Sequence, residues 1–187
     1  MPNVIVISGA NGAGKSTLAP FLLRDTFGIL EYVNADTIAE GLSAFAPETA
    51  AIKAGKTMLE RLSDLAAERK DFAFETTLAN RTYAKRLSAL QTAGYRFHLI
   101  YLWLESPQLA VERVRSRVRA GGHDIPAATI ERRYERGRSN FNNLYQPLAD
   151  SWQAFDVSHS TPRTIAFGDK IEGGKVVEQD IWQQIKK

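Results

Sequence analysis

The run Gly9-Ala10-Asn11-Gly12-Ala13-Gly14-Lys15-Ser16, with Thr17 behind it, has the spacing G-x-x-x-x-G-K-[ST]. Glycines there let the backbone curl until successive N–H groups face inward as an anion nest, and the following helix adds its positive dipole end. Lys15 supplies a cation for the β- and γ-phosphates of a nucleotide, and Ser16 a hydroxyl for Mg²⁺. A glycine-rich turn with an incidental lysine is the plain alternative. An unbroken eight-residue match between an apolar strand and a helix argues against it. The pattern predicts that Gly9 to Thr17 bind ATP with Mg²⁺, and it says little about what receives the phosphate.

Two carboxylates stand where an acceptor would need them. Asp36 follows Tyr32-Val33-Asn34, and Glu75 closes Phe72-Ala73-Phe74. Each lies at the end of a predicted strand, where open parallel sheets bind ligands. A carboxylate near the γ-phosphate can orient an acceptor hydroxyl and take its proton, and Asp36 is the candidate base. Its plain alternative is a helix N-cap ahead of Thr37-Ile38-Ala39. Glu75 has two readings, one at the acceptor and one on magnesium-bound water. Ser16, Asp36 and Glu75 are thus the candidate metal-side residues. Three scattered histidines and no cysteine offer no zinc site.

Transfer also needs a cover, because water otherwise takes the phosphoryl group. Residues 113–138 have the composition of a lid. Arg113, Arg115, Arg117 and Arg119 lie at helical spacing, Gly121-Gly122 offer a hinge before His123-Asp124-Ile125-Pro126, and Arg132, Arg133, Arg136 and Arg138 follow. Arginine brought over a γ-phosphate neutralises charge spreading onto its oxygens, worth about 10³–10⁵ in rate in arginine-finger systems. A solvated, salt-bridged helix face is the usual fate of a charge run. Here eight arginines meet only Asp124, Glu131 and Glu135, so Arg117, Arg119, Arg132 and Arg133 are expected to serve transfer. Nucleic acid is a weaker reading, since only Tyr134 and Phe141 offer stacking nearby. His123 can contact phosphate or make a local hydrogen bond.

The elements that position these groups alternate. Val4–Ser8, Tyr32–Asn34, Phe72–Glu75 and Phe97–Leu104 read as strands, and helices are expected over Lys15–Arg24, Pro47–Arg69 and Arg81–Ala93 and from Pro107 to Gly121-Gly122. Leu18, Phe21 and Leu22 should face inward on the first helix, and Ile52, Met58, Leu59, Leu62 and Leu65 on the second. After Pro126 come one or two helices and a strand near Trp152–Val157. Thr164–Phe167 and Lys175–Val177 then form a hairpin before a helix around Trp182. His98 reads as structural, and Trp103 and Trp152 as core or pocket wall rather than base-stacking platforms. The expected fold is a three-layer α/β P-loop kinase type with a mostly parallel central sheet, in one domain over 1–187. Its lid falls at about 113–138, and the hairpin and helix at about 163–187.

Composition narrows the class. The 187 residues carry a net charge of +3 and no cysteine, which removes disulfides and thiolate catalysis. Residues 113–138 carry a balance of +5 and the rest −2, a local anion site rather than a broad nucleic-acid surface. Met1-Pro2-Asn3 runs straight into a short apolar strand, so neither a signal peptide nor a membrane span is expected, and a cytoplasmic location is. The N-K-x-D motif of guanine-specific GTPases is absent, and the chain is short for a motor.

Taken together, the residues resemble the zeta-toxin-like P-loop kinases. Gly9 to Thr17, Asn34-Ala35-Asp36, Phe74-Glu75-Thr76-Thr77-Leu78, Leu102-Trp103-Leu104, Arg117 with Gly121 to Pro126, Arg132-Arg133-Tyr134 and Asn140 to Asp150 carry the likeness, over about residues 1–158. The resemblance implies ATP-dependent transfer to a hydroxyl. In the best-known members that is the 3′-hydroxyl of UDP-N-acetylglucosamine, and an antitoxin restrains the enzyme. It implies Asp36 as general base, Lys15 and the lid arginines as charge stabilisers, and Glu75, Thr76, Thr77 and Arg81 at the acceptor. The chain is compact beside the larger toxins, and the hairpin from Thr164 lies outside the likeness. Another small acceptor, such as an antibiotic, metabolite or nucleoside, is the nearest rival, and a regulatory ATPase the more distant one.

Overall fold

A computed structural model describes all residues but Phe27, Phe45 and His123, and all side chains but those and Asp25, Thr26, Pro47 and Glu48. His123, expected to contact phosphate or make a local hydrogen bond, therefore lies outside the described residues. Strand β1 (Asn3–Gly9) runs into the phosphate loop and helix α1 (Lys15–Ala19). There follow β2 (Tyr32–Val33), α2 (Ala35–Leu42), α3 (Pro47–Ala67), β3 (Phe72–Thr76), α4 (Thr82–Thr92), β4 (Arg96–Trp103) and α5 (Pro107–Arg119). The rest is α6 (Ala127–Asn140), a π-helical turn Phe141–Tyr145, α7 (Gln146–Leu148), β5 (Ser151–Asp156), β6 (Arg163–Asp169), β7 (Gly173–Val176) and α8 (Gln179–Lys186).

Among the described residues the sheet has the order β2-β3-β1-β4-β5-β6-β7. The first five strands in that order are parallel, and β6 runs antiparallel to both its neighbours, β5 and β7. Parallel strands buried on both faces need apolar residues at successive positions, and Val4 to Ile7 supply them. Val4, Val6, Phe72, Phe74 and Leu99 join Met58, Leu62, Leu65 and Leu87 on one face. Ile5, Ile7, Ala73 and Ile100 join Ala19, Leu23, Ala110 and Val114 on the other. The hairpin is a continuation of this sheet. Trp182 of α8 stacks on Trp152 of β5, with ring centres 5.4 Å apart.

Three expected core positions prove wrong. Phe21 is 65% exposed, and Leu23 is buried in its place. Pro20 has no N–H for the carbonyl four residues back, and the helix widens into a π-helical stretch over Pro20–Thr26. That wider turn moves the buried position two residues on. Ile52 and Leu59 are 81% and 38% exposed, while Ala54, Met58, Leu62 and Leu65 are buried. Ile52 and Leu59 are seven apart and share the solvent face of α3.

Candidate active site

The phosphate loop is shaped by positions that refuse a side chain. At Gly9 the backbone has φ 143, and a Cβ would lie 2.3 Å from the Leu102 carbonyl oxygen of β4. Gly14 takes φ 78 as the residue before α1, a left-handed conformation that glycine adopts at no steric cost. Lys15 is buried, and its Nζ donates to the Gly9 and Ala10 carbonyls, both at 3.0 Å. Burial pulls its pKa below the ordinary lysine value. The charges of Glu75 and Asp36 oppose that, and Arg117 and Arg133 add to the lowering. A desolvated cation beside two arginines favours an anion between them.

Strand order brings the carboxylates in. Because β3 lies between β2 and β1, the end of β3 is flanked by the segments leaving both neighbours. Glu75 Oε2 accepts from Ser16 Oγ at 3.0 Å and from the Tyr32 hydroxyl at 2.5 Å. Burial, then the Glu75 charge, pushes the Tyr32 phenol up, so it remains a donor. Asn34 Nδ2 donates to Ser16 Oγ at 3.4 Å. Asn34 also caps α2, its Oδ1 accepting from Asp36 N–H at 2.8 Å and Thr37 N–H at 3.4 Å. The helix cap considered for Asp36 is thus Asn34. Asp36 sits in the first turn of α2, with its exposed carboxylate on the cavity.

The cavity is about 630 Å³ and is bounded by all three strand ends and α6. Asn11, Lys15, Asp36, Glu75, Thr76, Thr77 and Arg81 line it, as do Arg132, Arg133 and Arg136. Five basic groups there face two acids. Side chains alternate along β3, so Glu75 joins the face of Ile7 and Ala73, toward α1, and Thr76 the opposite face, toward Met58 and Tyr83. The loop after β3, residues 77–81, is held by the end of α6 and the π-helical turn that follows it. Asn140 Nδ2 donates to the Leu78 carbonyl at 2.8 Å, and the Tyr145 hydroxyl to that of Asn80. Leu78, fully buried, is held at φ 58, a left-handed conformation costing about 1–3 kcal/mol for a non-glycine residue.

The arginines divide. Arg133 reaches Asn11 of the phosphate loop, Nη1 to Oδ1 at 3.5 Å. Arg117 is not among the cavity-lining residues but acts on Lys15 by charge. Arg119 is exposed and bonds Ser116 Oγ on its own helix at 2.8 Å. Arg113 donates to the Ser158 carbonyl, and Arg138 to Glu135 and to the Gln184 carbonyl of α8. Tyr32, Asn80 and Tyr83 carry no sequence signal for the site, whereas Asn34 belongs to the Asn34-Ala35-Asp36 run and Arg136 to the arginines of the expected lid.

Gly137 lets α6 sit close on the loop after β3, since a Cβ there would lie 2.3 Å from the Thr77 carbonyl oxygen. Gly137→Ala is expected to push the arginine helix off that loop. Turnover should fall by about 10²-fold, the scale of an ångström-sized misplacement. Stability should fall by about 1–3 kcal/mol through overpacking. Steady-state rates and urea unfolding check the pair, and parental kinetics would refute the coupling.

The zeta toxin family profile matches residues 1–150. The chain belongs to the zeta toxin family. An uncharacterised protein of Haemophilus influenzae is 29% identical over 130 residues, covering 70% of this chain and 91% of that relative. The crystal structure of AvrRxo1-ORF1:-ORF2 with ATP superposes with a TM-score of 0.77 at 16% identity. That match covers 100% of this chain and 64% of that one, so this family member spans under two thirds of its neighbour's length. The PezAT toxin–antitoxin system of Streptococcus pneumoniae superposes with a TM-score of 0.69 at 18% identity, covering 99% and 78%. Small-molecule kinases of known structure share the fold. Family and fold together support a kinase-type phosphotransferase. Among the described residues no helix is long and apolar enough to cross a membrane.

Proposed function

We propose that this zeta toxin family member transfers the γ-phosphate of ATP to a hydroxyl of a small molecule, a nucleotide sugar such as UDP-N-acetylglucosamine being the preferred acceptor. The observation that carries this is one cavity holding the buried Lys15, the exposed Asp36 carboxylate and a wall of arginines from α6. The excess of basic groups over acids there favours an acceptor with phosphates of its own. The structural neighbour with bound ATP supports the donor, and the PezAT neighbour supports an antitoxin as protein partner.

Magnesium fits the donor set. No group of three or more His, Cys, Asp or Glu side chains clusters among the described residues. Mg²⁺ is held in such sites by one or two protein oxygens, with phosphates and water completing it. Ser16 and Glu75, in direct contact, would supply those oxygens, with Asp36 on the same cavity. When bound, the ion would neutralise phosphate charge. Asp36 takes the acceptor proton as the acceptor oxygen bonds to the γ-phosphorus and the bond to the bridging oxygen of ADP breaks. Lys15, Arg117 and Arg133 hold the charge that shifts onto phosphate oxygens. Thr76, Thr77 and Arg81 hold the acceptor, while Arg132 and Arg136 close over it.

Release of ADP with Mg-ATP, measured across nucleotide sugars, sugars and nucleosides, tests the reading. A kinase accelerates only with its hydroxyl acceptor. Acceleration by polynucleotide instead would make the protein a regulatory ATPase. Arg133→Lys should slow transfer by about 10-fold or more, because lysine is a point charge without the planar two-pronged grip on phosphate. Its melting temperature should hold. A rate equal to the parent's would remove Arg133 from the transfer machinery.

A further inference from the structure

The geometry points to Tyr32 as a positioning residue for the magnesium site, its hydroxyl holding the Glu75 carboxylate in place beside Ser16. The assignment rests on the Mg-ATP reading above and goes beyond it, since Tyr32 is not a phosphate-loop residue and cannot be found from motif spacing.

Register explains how Tyr32 gets there. It pairs with Ala73 across the β2–β3 ladder, so its side chain rises on the face that Ala73 shares with Glu75, two residues further along. Ile5 and Ile7 of β1 pair with the same two residues, and on that face α1 presents Ser16. Glu75 Oε2 therefore receives one donor from each side, Tyr32 at 2.5 Å and Ser16 at 3.0 Å. A serine hydroxyl has one proton and two lone pairs. Its proton goes to Glu75, and Asn34 Nδ2 donates to its oxygen at 3.4 Å, which leaves one lone pair for a cation. The chain Asn34–Ser16–Glu75–Tyr32 thus orders both oxygens that would meet the ion. Tyr32 is its outer anchor, and its hydroxyl would hold Glu75 whether or not an ion sat on the free lone pair of Ser16. This places Glu75 on the metal side, with Thr76 on the acceptor side of the same strand end.

Tyr32→Phe removes the hydroxyl and keeps the ring packed against the sheet. The expected result is a rise of about 10-fold or more in the Mg²⁺ concentration that half-saturates ATP binding by calorimetry, the usual loss when an outer partner of a metal ligand is removed. Affinity for ATP without Mg²⁺, the acceptor KM at saturating Mg²⁺ and the melting temperature should stay parental, which separates positioning from a general structural role. In a Glu75→Ala background, where no acceptor oxygen is left for Tyr32 to hold, the same change should add nothing, because its whole effect passes through Glu75. An unchanged Mg²⁺ requirement in Tyr32→Phe, or a further loss in the double variant, overturns the assignment and leaves the kinase reading intact. Parent protein whose ATP binding ignores Mg²⁺ overturns both. Mn²⁺ titration followed by electron paramagnetic resonance gives the same comparison without turnover.

Discussion

Asp36→Asn should lower transfer by about 10²–10⁴ at saturating acceptor, the range of general-base catalysis, while the protein stays folded. Asn34 caps α2, so replacing Asp36 does not uncap the helix. What stability it contributes comes from a negative charge in the first turn, about 0.3–1 kcal/mol. Mg-ATP affinity should change little, because the loop backbone and Lys15 are untouched. Acceptor affinity should fall modestly, through loss of one charge-assisted hydrogen bond. Rapid-quench rates, melting curves and calorimetry with Mg-ATP separate these terms. A variant as active as the parent would make Asp36 a dipole-stabilising surface residue, and Glu75 would be the remaining carboxylate in the cavity.

Lys15→Ala should abolish turnover and weaken Mg-ATP binding by roughly 10- to 150-fold, the equivalent of about 1.5–3 kcal/mol for hydrogen bonds to a charged group. Its effect on the fold should run the other way. The ammonium is buried and its pKa is lowered by that burial before any neighbour acts, so the charge costs the nucleotide-free protein stability. Its hydrogen bonds to Gly9 and Ala10 offset part of that cost. Removing the side chain should therefore leave the nucleotide-free melting temperature level or higher, while nucleotide no longer raises it. Scanning calorimetry with and without Mg-ATP reads both quantities. Undiminished stabilisation by nucleotide in the variant would remove the phosphate-loop assignment.

The α6 wall bridges the phosphate loop and the loop after β3. Arg133 touches the phosphate loop at Asn11, and Gly137 and Asn140 rest on the loop after β3 at Thr77 and Leu78. At its far end Arg138 and the following Asn142 bond the backbone of α8 at Gln184 and Ile185. The segment after residue 150, beyond the family match, therefore backs the arginine helix from behind. Aromatic packing holds it there, because Phe141, directly after α6, meets Trp152 of β5 and Trp182 of α8 edge-on.

The phosphate loop could be read residue by residue because its chemistry is local. Eight consecutive residues carry their own torsions, their own N–H groups and their own lysine, and the strand before and helix after them are equally local. The positions of Asp36 and Glu75 at strand ends were readable for the same reason, as was the burial of Trp103 and Trp152. His98 is tied to Ser151 and Asn3, in keeping with a structural role. Phe21, Ile52 and Leu59 misled because apolar character says only that a residue can be buried. Which face turns inward depended on a π-helical widening at Pro20 and on the phase of α3. Whether Glu75 meets Ser16, whether Tyr32 stands behind it, and which arginines reach the cavity all turned on strand order and helix docking. Those are contacts between residues dozens to more than a hundred positions apart, such as Arg133 with Asn11, and no spacing rule along the chain can express them. Types and local geometry were written in the sequence, whereas the pairing of charges across the cavity arose only when β3 settled between β2 and β1 and α6 closed over their ends.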